Sequence, residues 1–218
     1  MHGTNPIRLP IHGDGLTLDI EQIFPTLQGE GPYAGWPAIF IRLGGCNLAC
    51  HFCDTEFESF APLSLEAIME QVSEYTSDVR RLVVITGGEP LRQPIEALCK
   101  QLLAQGYKVQ IETNGTLYRD LPEEVEIVCS PKNNGQGYFP LRPDLLARVN
   151  AFKFIVSASS KDYGDVPAMA QGGAPVYVQP MDESDEEKNR ENLRLAVQLA
   201  ERRGYRLSLQ LHKIAGIP

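Results

Sequence analysis

The run Leu82-Val83-Val84-Ile85-Thr86-Gly87-Gly88-Glu89-Pro90 decides how this chain is built. A short β-branched stretch, too brief for a helix, stops abruptly at two glycines, a carboxylate and a proline. Just beyond it, Pro94–Gln105 opens with proline, places Ile95, Leu98, Leu102 and Leu103 on one face, and is followed by Gly106, the marks of a helix. A second strand-like run, Lys108–Thr113, comes next. Strand, turn, helix and strand form the repeating unit of a parallel sheet.

Outward from this unit the pattern continues. Further strand-like runs are Leu18–Phe24, Ala38–Leu43, Val125–Ser130, Ala151–Val156, Val176–Gln179 and Arg206–His212. Ser64–Thr76 carries Leu65, Ile68, Met69 and Val72 at helical spacing, with Ser64 as cap. Ser184–Arg203 begins Ser-Asp-Glu-Glu, a capping box with Ser184 as cap, and stops before Gly204. The expected fold is α/β, a mostly parallel sheet with helices outside and about six parallel strands. A complete eight-unit barrel takes about 250 residues, and the chain has 218, so a partial, open β/α barrel is the expectation. A doubly wound open sheet is the competing topology, which periodicity does not separate. Residues 1–16 lack periodicity and read as a loose N-terminal leader; residues 17–218 read as one domain.

Polar motifs follow the strands directly: Thr86-Gly87-Gly88-Glu89-Pro90, Glu112-Thr113-Asn114-Gly115, Ser130-Pro131-Lys132, Gln179-Pro180-Met181-Asp182 and Gln210-Leu211-His212-Lys213. Any one of them is an ordinary turn. Together they point to a shared site, because ligands in parallel α/β folds gather at the C-terminal strand ends.

Charge narrows the functional classes. With 20 basic and 28 acidic residues the net charge is −8, against a protein that grips nucleic acid by its backbone. No stretch reaches the roughly 18–20 apolar residues of a membrane span, and the first residues lack the apolar core of a secretory signal. Five cysteines, an odd number, do not describe a disulfide framework, so a reducing cytoplasm is expected. Three of them form Cys46-Asn47-Leu48-Ala49-Cys50-His51-Phe52-Cys53. Soft thiolates at this spacing suit an iron–sulfur cluster with one iron left open. A Cys3His zinc site completed by His51 or His212 is the alternative, and chance clustering in a loop is the third. Cys99 and Cys129 sit in apolar runs, where free cysteines are usually small core residues.

The cysteine run with Phe52 before its last member resembles the cluster motif of the radical S-adenosylmethionine (SAM) superfamily. Gly87-Gly88-Glu89-Pro90 is similar to that superfamily's SAM motif. Thr26-Leu27-Gln28-Gly29-Glu30-Gly31, Ala38–Leu43, Cys53-Asp54-Thr55 and the ending Leu211–Pro218 narrow the resemblance to the 7-carboxy-7-deazaguanine synthase family, over about Phe24 to Pro218. The resemblance implies an open barrel of the radical SAM type. It implies a carbon–nitrogen lyase that turns 6-carboxy-5,6,7,8-tetrahydropterin into 7-carboxy-7-deazaguanine with loss of ammonia, for queuosine and other 7-deazapurines. Its implied cofactors are a 4Fe-4S cluster, SAM and Mg2+. Its implied partners are the pterin, an electron donor such as a flavodoxin, and a second copy of the chain in a homodimer.

The same resemblance distributes roles. Cys46, Cys50 and Cys53 hold the cluster, and Thr55 matches the Mg2+ position. Leu27, Gln28, Gly29 and Glu30 match the substrate loop, although Glu30 also reads as a plain loop carboxylate. Arg42, a charge within an apolar strand, is assigned the substrate carboxylate; pairing with an acidic side chain is its other reading. Thr86 and Asn114 are assigned to substrate, and Gly88 to SAM. Glu89 is assigned the SAM ammonium, with a backbone group as its other partner. Phe52, Cys53 and Asp54 match the adenine and ribose segment. Glu112, Ser130, Pro131, Lys132, Gln179, Pro180, Met181 and Asp182 match further cofactor contacts. Lys153 reads as a satisfied strand charge. If residue 218 is the end of the chain, Pro218 offers its α-carboxylate to the pterin. A glycyl-radical activase shares the cysteine and glycine motifs but not the TLQGEG and LHKIAGIP segments. A zinc or electron-transfer protein is the rival outside enzymes.

Overall fold

The computed structural model describes residues 5–168 and 173–218. Its strands are β1 (Thr17–Leu27), β2 (Pro37–Leu43), β3 (Ala61–Ser64), β4 (Leu82–Gly87), β5 (Lys108–Thr113), β6 (Glu126–Cys129), β7 (Val149–Val156), β8 (Val176–Pro180) and β9 (Arg206–Leu207). They form one sheet in the order β3-β1-β2-β4-β5-β6-β7-β8-β9. From β2 to β9 every neighbouring pair is parallel, while β1 runs antiparallel to both β2 and β3. The two edges, β3 and β9, do not pair with each other, so the barrel is open.

Period-two alternation divides the sheet into an outer apolar face and an inner face that is apolar at the N-terminal strand ends and polar at the C-terminal ones. Ile39, Ile41 and Leu43 of β2, Val83 and Ile85 of β4, and Val109 and Ile111 of β5 are buried in one core with α1 (Leu65–Tyr75) and α2 (Glu96–Ala104). Phe152, Phe154, Val156, Val176 and Val178 pack with α4 (Glu186–Arg203). Each such side chain contributes about 1.5–3 kcal/mol by leaving water. The residues between them face inward, which leaves Arg42, Thr86, Glu112, Lys153 and Gln179 around one cavity.

Local chemistry explains most element ends. The Ser64 hydroxyl accepts from the Ala67 amide and caps α1. Helix α4 ends at Gly204, whose φ of 69° suits a residue without Cβ. Four expectations change. The α4 cap is Asp185, not Ser184: the Asp182 carboxylate accepts from the Ser184 amide and turns the chain, so Asp185 receives the Glu187 and Lys188 amides. The run Arg206–His212 is a strand for only two residues; it then enters α5 (Leu211–Ala215), which docks against Gly29 and closes at Gly216. That two-residue β9 brings the parallel strands to one more than the six expected. The short edge strand β3 has little local signal, because it is four residues long and contains Pro62.

The leader is also tied down along its described part. Ile7 bridges Cys46, the Arg8 amide donates to the Cys46 carbonyl, and the Ile11 amide donates to the Arg92 carbonyl. The reason is complementary backbone: the loop after β2 and the turn after β4 present carbonyls that the extended segment satisfies. Residues 1–4 lie outside the described residues. Among the described residues no helix is long and apolar enough to cross a membrane.

Candidate active site

Two glycines set the geometry of the site. A Cβ on Gly87 would stand 2.1 Å from the Leu43 carbonyl oxygen, and one on Gly88 would stand 2.0 Å from that of Gly45. Without side chains there, the Gly88 amide donates to Leu43 and the Glu89 amide to Gly45, at 3.0 Å each. The end of β4 is thereby stitched to the chain entering the cysteine loop. Glu89 locks the stitch from behind. Its carboxylate, fully buried, accepts from the Leu91 amide, the Thr113 hydroxyl and the Asn114 amide. Burial pushes its pKa up, and those three donors resist. Of its two expected partners, the SAM ammonium and a backbone group, the structure shows the second, and Glu89 is not among the residues lining the cavity.

The cavity opens at the C-terminal strand ends and encloses about 290 Å3, close to the lower end of the roughly 300–1,000 Å3 usual for small-molecule sites. Cys46, Cys50 and Cys53 line one side of it. None is in a disulfide, and Cys99 and Cys129 are buried in the core away from it. His51 is exposed and off the wall, stacked edge-on against Phe52, so the Cys3His alternative lacks that ligand. By donor chemistry and spacing, three thiols from one short loop lining one cavity suit a cuboidal iron–sulfur cluster with one open position, although among the described residues they are not gathered to metal-binding distance. Burial pushes the Cys46 thiol up to about 12, with Glu89 adding to the effect. Burial also raises Cys50, while the Lys132 ammonium works in the opposite direction.

Next to the sulfurs, Lys132 is a half-buried cation whose ammonium donates to the carbonyl and hydroxyl of Ser130. Desolvation lowers its pKa. The Asn114 amide group donates to Asn47 and so ties the loop after β5 to the cysteine loop. Phe52 packs edge-on against Tyr163.

Across the cavity lies a different chemistry. The Arg42 guanidinium stacks on the Phe24 ring at 5.2 Å and stands 3.9 Å from Glu21, too far for a hydrogen bond. Its buried Nε has no hydrogen-bond partner among the described residues. A planar fork with a spare donor suits an arriving carboxylate. Lys153 sits between two acids, donating to Glu112 at 2.6 Å and also to Glu30. Burial works against its charge, but Glu112 and Glu30 overcome it and raise the pKa. Glu30 is likewise pushed up by burial and pulled further down by the Lys153 ammonium. Gln28 donates to Glu112, and Gln210 to Glu30, at 2.9 Å each. This network presents polar edges to the cavity at a fixed spacing.

The mouth is closed by the C-terminal segment. A Cβ on Gly29 would meet His212 Nδ1 at 2.2 Å, so glycine lets α5 seat. The Lys213 ammonium bridges Asp54 of the cysteine loop and Asp182 after β8, at 2.7 Å each. Its hydrogen bond holds Asp182 down at about 2. Thr55 lines the cavity with its hydroxyl 3.3 Å from Asp54. The Thr26 hydroxyl donates to the Pro218 carbonyl at 2.6 Å, which holds Pro218 at the wall.

Most residues singled out in the sequence share this one cavity: Leu27, Gln28, Glu30, Arg42, Phe52, Asp54, Thr55, Thr86, Gly88, Glu112, Asn114, Ser130, Lys132, Gln179, Pro180, Met181, Asp182 and Pro218, with the cysteines. Gly29, Glu89 and Pro131 are off the wall. Asn5, Phe24, Phe40, Phe57, Lys153 and Ile155 also line it and were not singled out as site residues, while Gln210 and His212 join it from the last of the strand-end motifs. Phe40 was legible: it alternates with Ile39 and Ile41 on the face of Arg42. Asn5 carries no local signal.

The chain is similar to known proteins in sequence and fold. The Radical SAM superfamily profile matches residues 40–132. A curated 7-carboxy-7-deazaguanine synthase from Rickettsia prowazekii (strain Madrid E) is 53% identical over 100% of this chain and 96% of its own length. One from Rhodospirillum rubrum is 44% identical over 100% of both chains. Among solved structures, QueE from Escherichia coli superposes with a TM-score of 0.72 at 29% identity, covering 89% of this chain and 94% of that one. Matches of this depth along the whole chain mean that it belongs to the 7-carboxy-7-deazaguanine synthase family of the radical SAM superfamily.

Proposed function

We propose that this chain converts 6-carboxy-5,6,7,8-tetrahydropterin to 7-carboxy-7-deazaguanine with release of ammonia, for queuosine and related 7-deazapurines. The observation that carries the reading is the single cavity with thiols at one side and Arg42, with its spare Nε donor, at the other. Cys46, Cys50 and Cys53 would hold the 4Fe-4S cluster. Once bound, cluster and SAM supply an electron and a 5′-deoxyadenosyl radical that removes a hydrogen from the pterin.

The protein's part is to bind, orient and exclude. Gly88, Ser130, Lys132, Gln179 and Met181 line the cofactor side. Lys132 offers a charge to an anionic group there, and bare Gly88 backbone allows close approach. Arg42 takes the substrate carboxylate in its fork. Gln28, Glu30 and Glu112 present acceptors for ring N–H groups, and Lys153 holds both acids in place by hydrogen bonds. Phe24 and Phe40 stack together and give an apolar wall for a flat ring. Thr55 would hold Mg2+ beside substrate oxygens, a weak site until substrate completes it. Seated α5 keeps water from the reacting carbon. Cysteines outside any disulfide and an oxygen-sensitive group favour a reducing cytoplasm, where a flavodoxin-type donor would serve a homodimeric enzyme.

Anaerobic reconstitution with iron and sulfide, then SAM, dithionite and the carboxypterin, tests this by mass spectrometry. The expected product is 7-carboxy-7-deazaguanine. Deoxyadenosine without it would keep the radical chemistry and overturn the substrate; colourless protein beside a brown control enzyme would overturn the cluster.

A further inference from the structure

The segment before β1 reaches the cysteine loop at both ends. At its near end, Ile7 bridges Cys46 and the Arg8 amide donates to the Cys46 carbonyl at 2.7 Å. At its far end, the Asn5 side-chain amide donates to the Thr55 carbonyl at 3.0 Å and lies 4.0 Å from the Cys53 sulfur. Arg8 also pairs with Glu58 beyond the loop. Asn5 lines the cavity alongside the cysteines.

We propose that Asn5 is a positioning residue that donates an N–H···S hydrogen bond to the sulfur of Cys53 and sets the reduction potential of the cluster. The inference rests on the cluster reading above and goes beyond it, because Asn5 lies outside the cysteine loop. Its carbonyl contact with Thr55 aims the amide, so the second hydrogen reaches the sulfur without searching. Hydrogen bonds to cluster sulfurs withdraw negative charge and stabilise the reduced state, one of the levers by which a protein tunes such a cluster. A reduced state that is easier to reach makes the first electron easier to supply. Arg8 and Ile7 hold the segment in place but touch no sulfur, so they separate anchoring from tuning.

The test is an anaerobic redox titration followed by electron paramagnetic resonance, on reconstituted wild type, Asn5→Leu and Arg8→Ala, each checked for folding by circular dichroism. Iron loss to a chelator is timed in parallel. Asn5→Leu is expected to shift the midpoint potential to more negative values. Arg8→Ala is expected to release iron several-fold faster at an unchanged potential. A potential for Asn5→Leu equal to wild type, in brown and folded protein, would overturn the tuning role while leaving the cluster reading intact. Wild type that takes up no iron would overturn both.

Discussion

Arg42 shows how one side chain is singled out by its neighbours. It alternates with Ile39, Ile41 and Leu43, which are fully buried on the opposite face, so its charge is turned into the cavity. Glu21 at 3.9 Å is a loose partner. Arg42→Met keeps the stem against Phe24 and deletes the fork. Hydrogen bonds to charged groups are worth about 1.5–3 kcal/mol, so the KM for the carboxypterin is expected to rise by about 10- to 100-fold. Deoxyadenosine formation without pterin should be nearly unchanged; steady-state and uncoupled assays on the same preparation check both. Gly88 makes the opposite case, where absence of a side chain is the functional feature. In Gly88→Ala the new Cβ meets the Gly45 carbonyl, and overpacking of this kind costs about 1–3 kcal/mol. Because the strain lands on the chain entering Cys46, iron per chain should fall more steeply than the melting temperature. The Gly-Gly pair was legible in the sequence as a motif. That its partner is the backbone of the loop after β2 was not, since the intervening chain carries no mark of the contact.

At the scale of elements, the C-terminal helix is held by charge rather than by core. Helix α5 buries no residue of its own. Lys213 fastens it to Asp54 and Asp182, and its hydrogen bond holds Asp182 at about 2, below the ordinary carboxylate value near 3.8. A carboxyl with a depressed folded pKa contributes stability above its unfolded pKa and loses it as pH falls toward the folded one. Lys213→Met is therefore expected to lower the melting temperature by a similar amount from pH 5 to 8. The gap from wild type should close between about pH 4 and pH 2. Calorimetry of both proteins across that range checks it; a gap that persists at pH 2 would assign the effect to lost packing instead. The sequence suggested a strand through His212. Its alternating side chains fit one, and only the docking of Leu211 and His212 on Gly29 turns the segment into a helix.

For the whole molecule, the open sheet leaves a cavity whose walls come from distant parts of the chain. The cysteine loop, the Arg8 segment and α5 meet there, and none has a large core of its own. A group held by all three cysteines binds the folded state and not the unfolded one, so it stabilises by mass action. Reconstituted protein is expected to melt several degrees above the iron-free form. Chelation under reducing conditions should return it to the lower value, with the far-ultraviolet spectrum largely kept because the β2–β8 core is independent of the loop. Anaerobic melting curves of the two forms check this.

The sequence by itself determined the strand and helix alternation, the inward face of each strand, the cysteine triad and the glycine pair. These are encoded in periods of two and 3.6 residues and in short spacings, which local physics reads directly. Only the tertiary structure decided that Lys153 stands between Glu30 and Glu112, that Glu89 faces the scaffold, and that Asn5 reaches Cys53. Those contacts join segments that are remote in the chain. Their partners are chosen by the curl of the sheet and by burial, which makes each charged or polar group find a partner within reach.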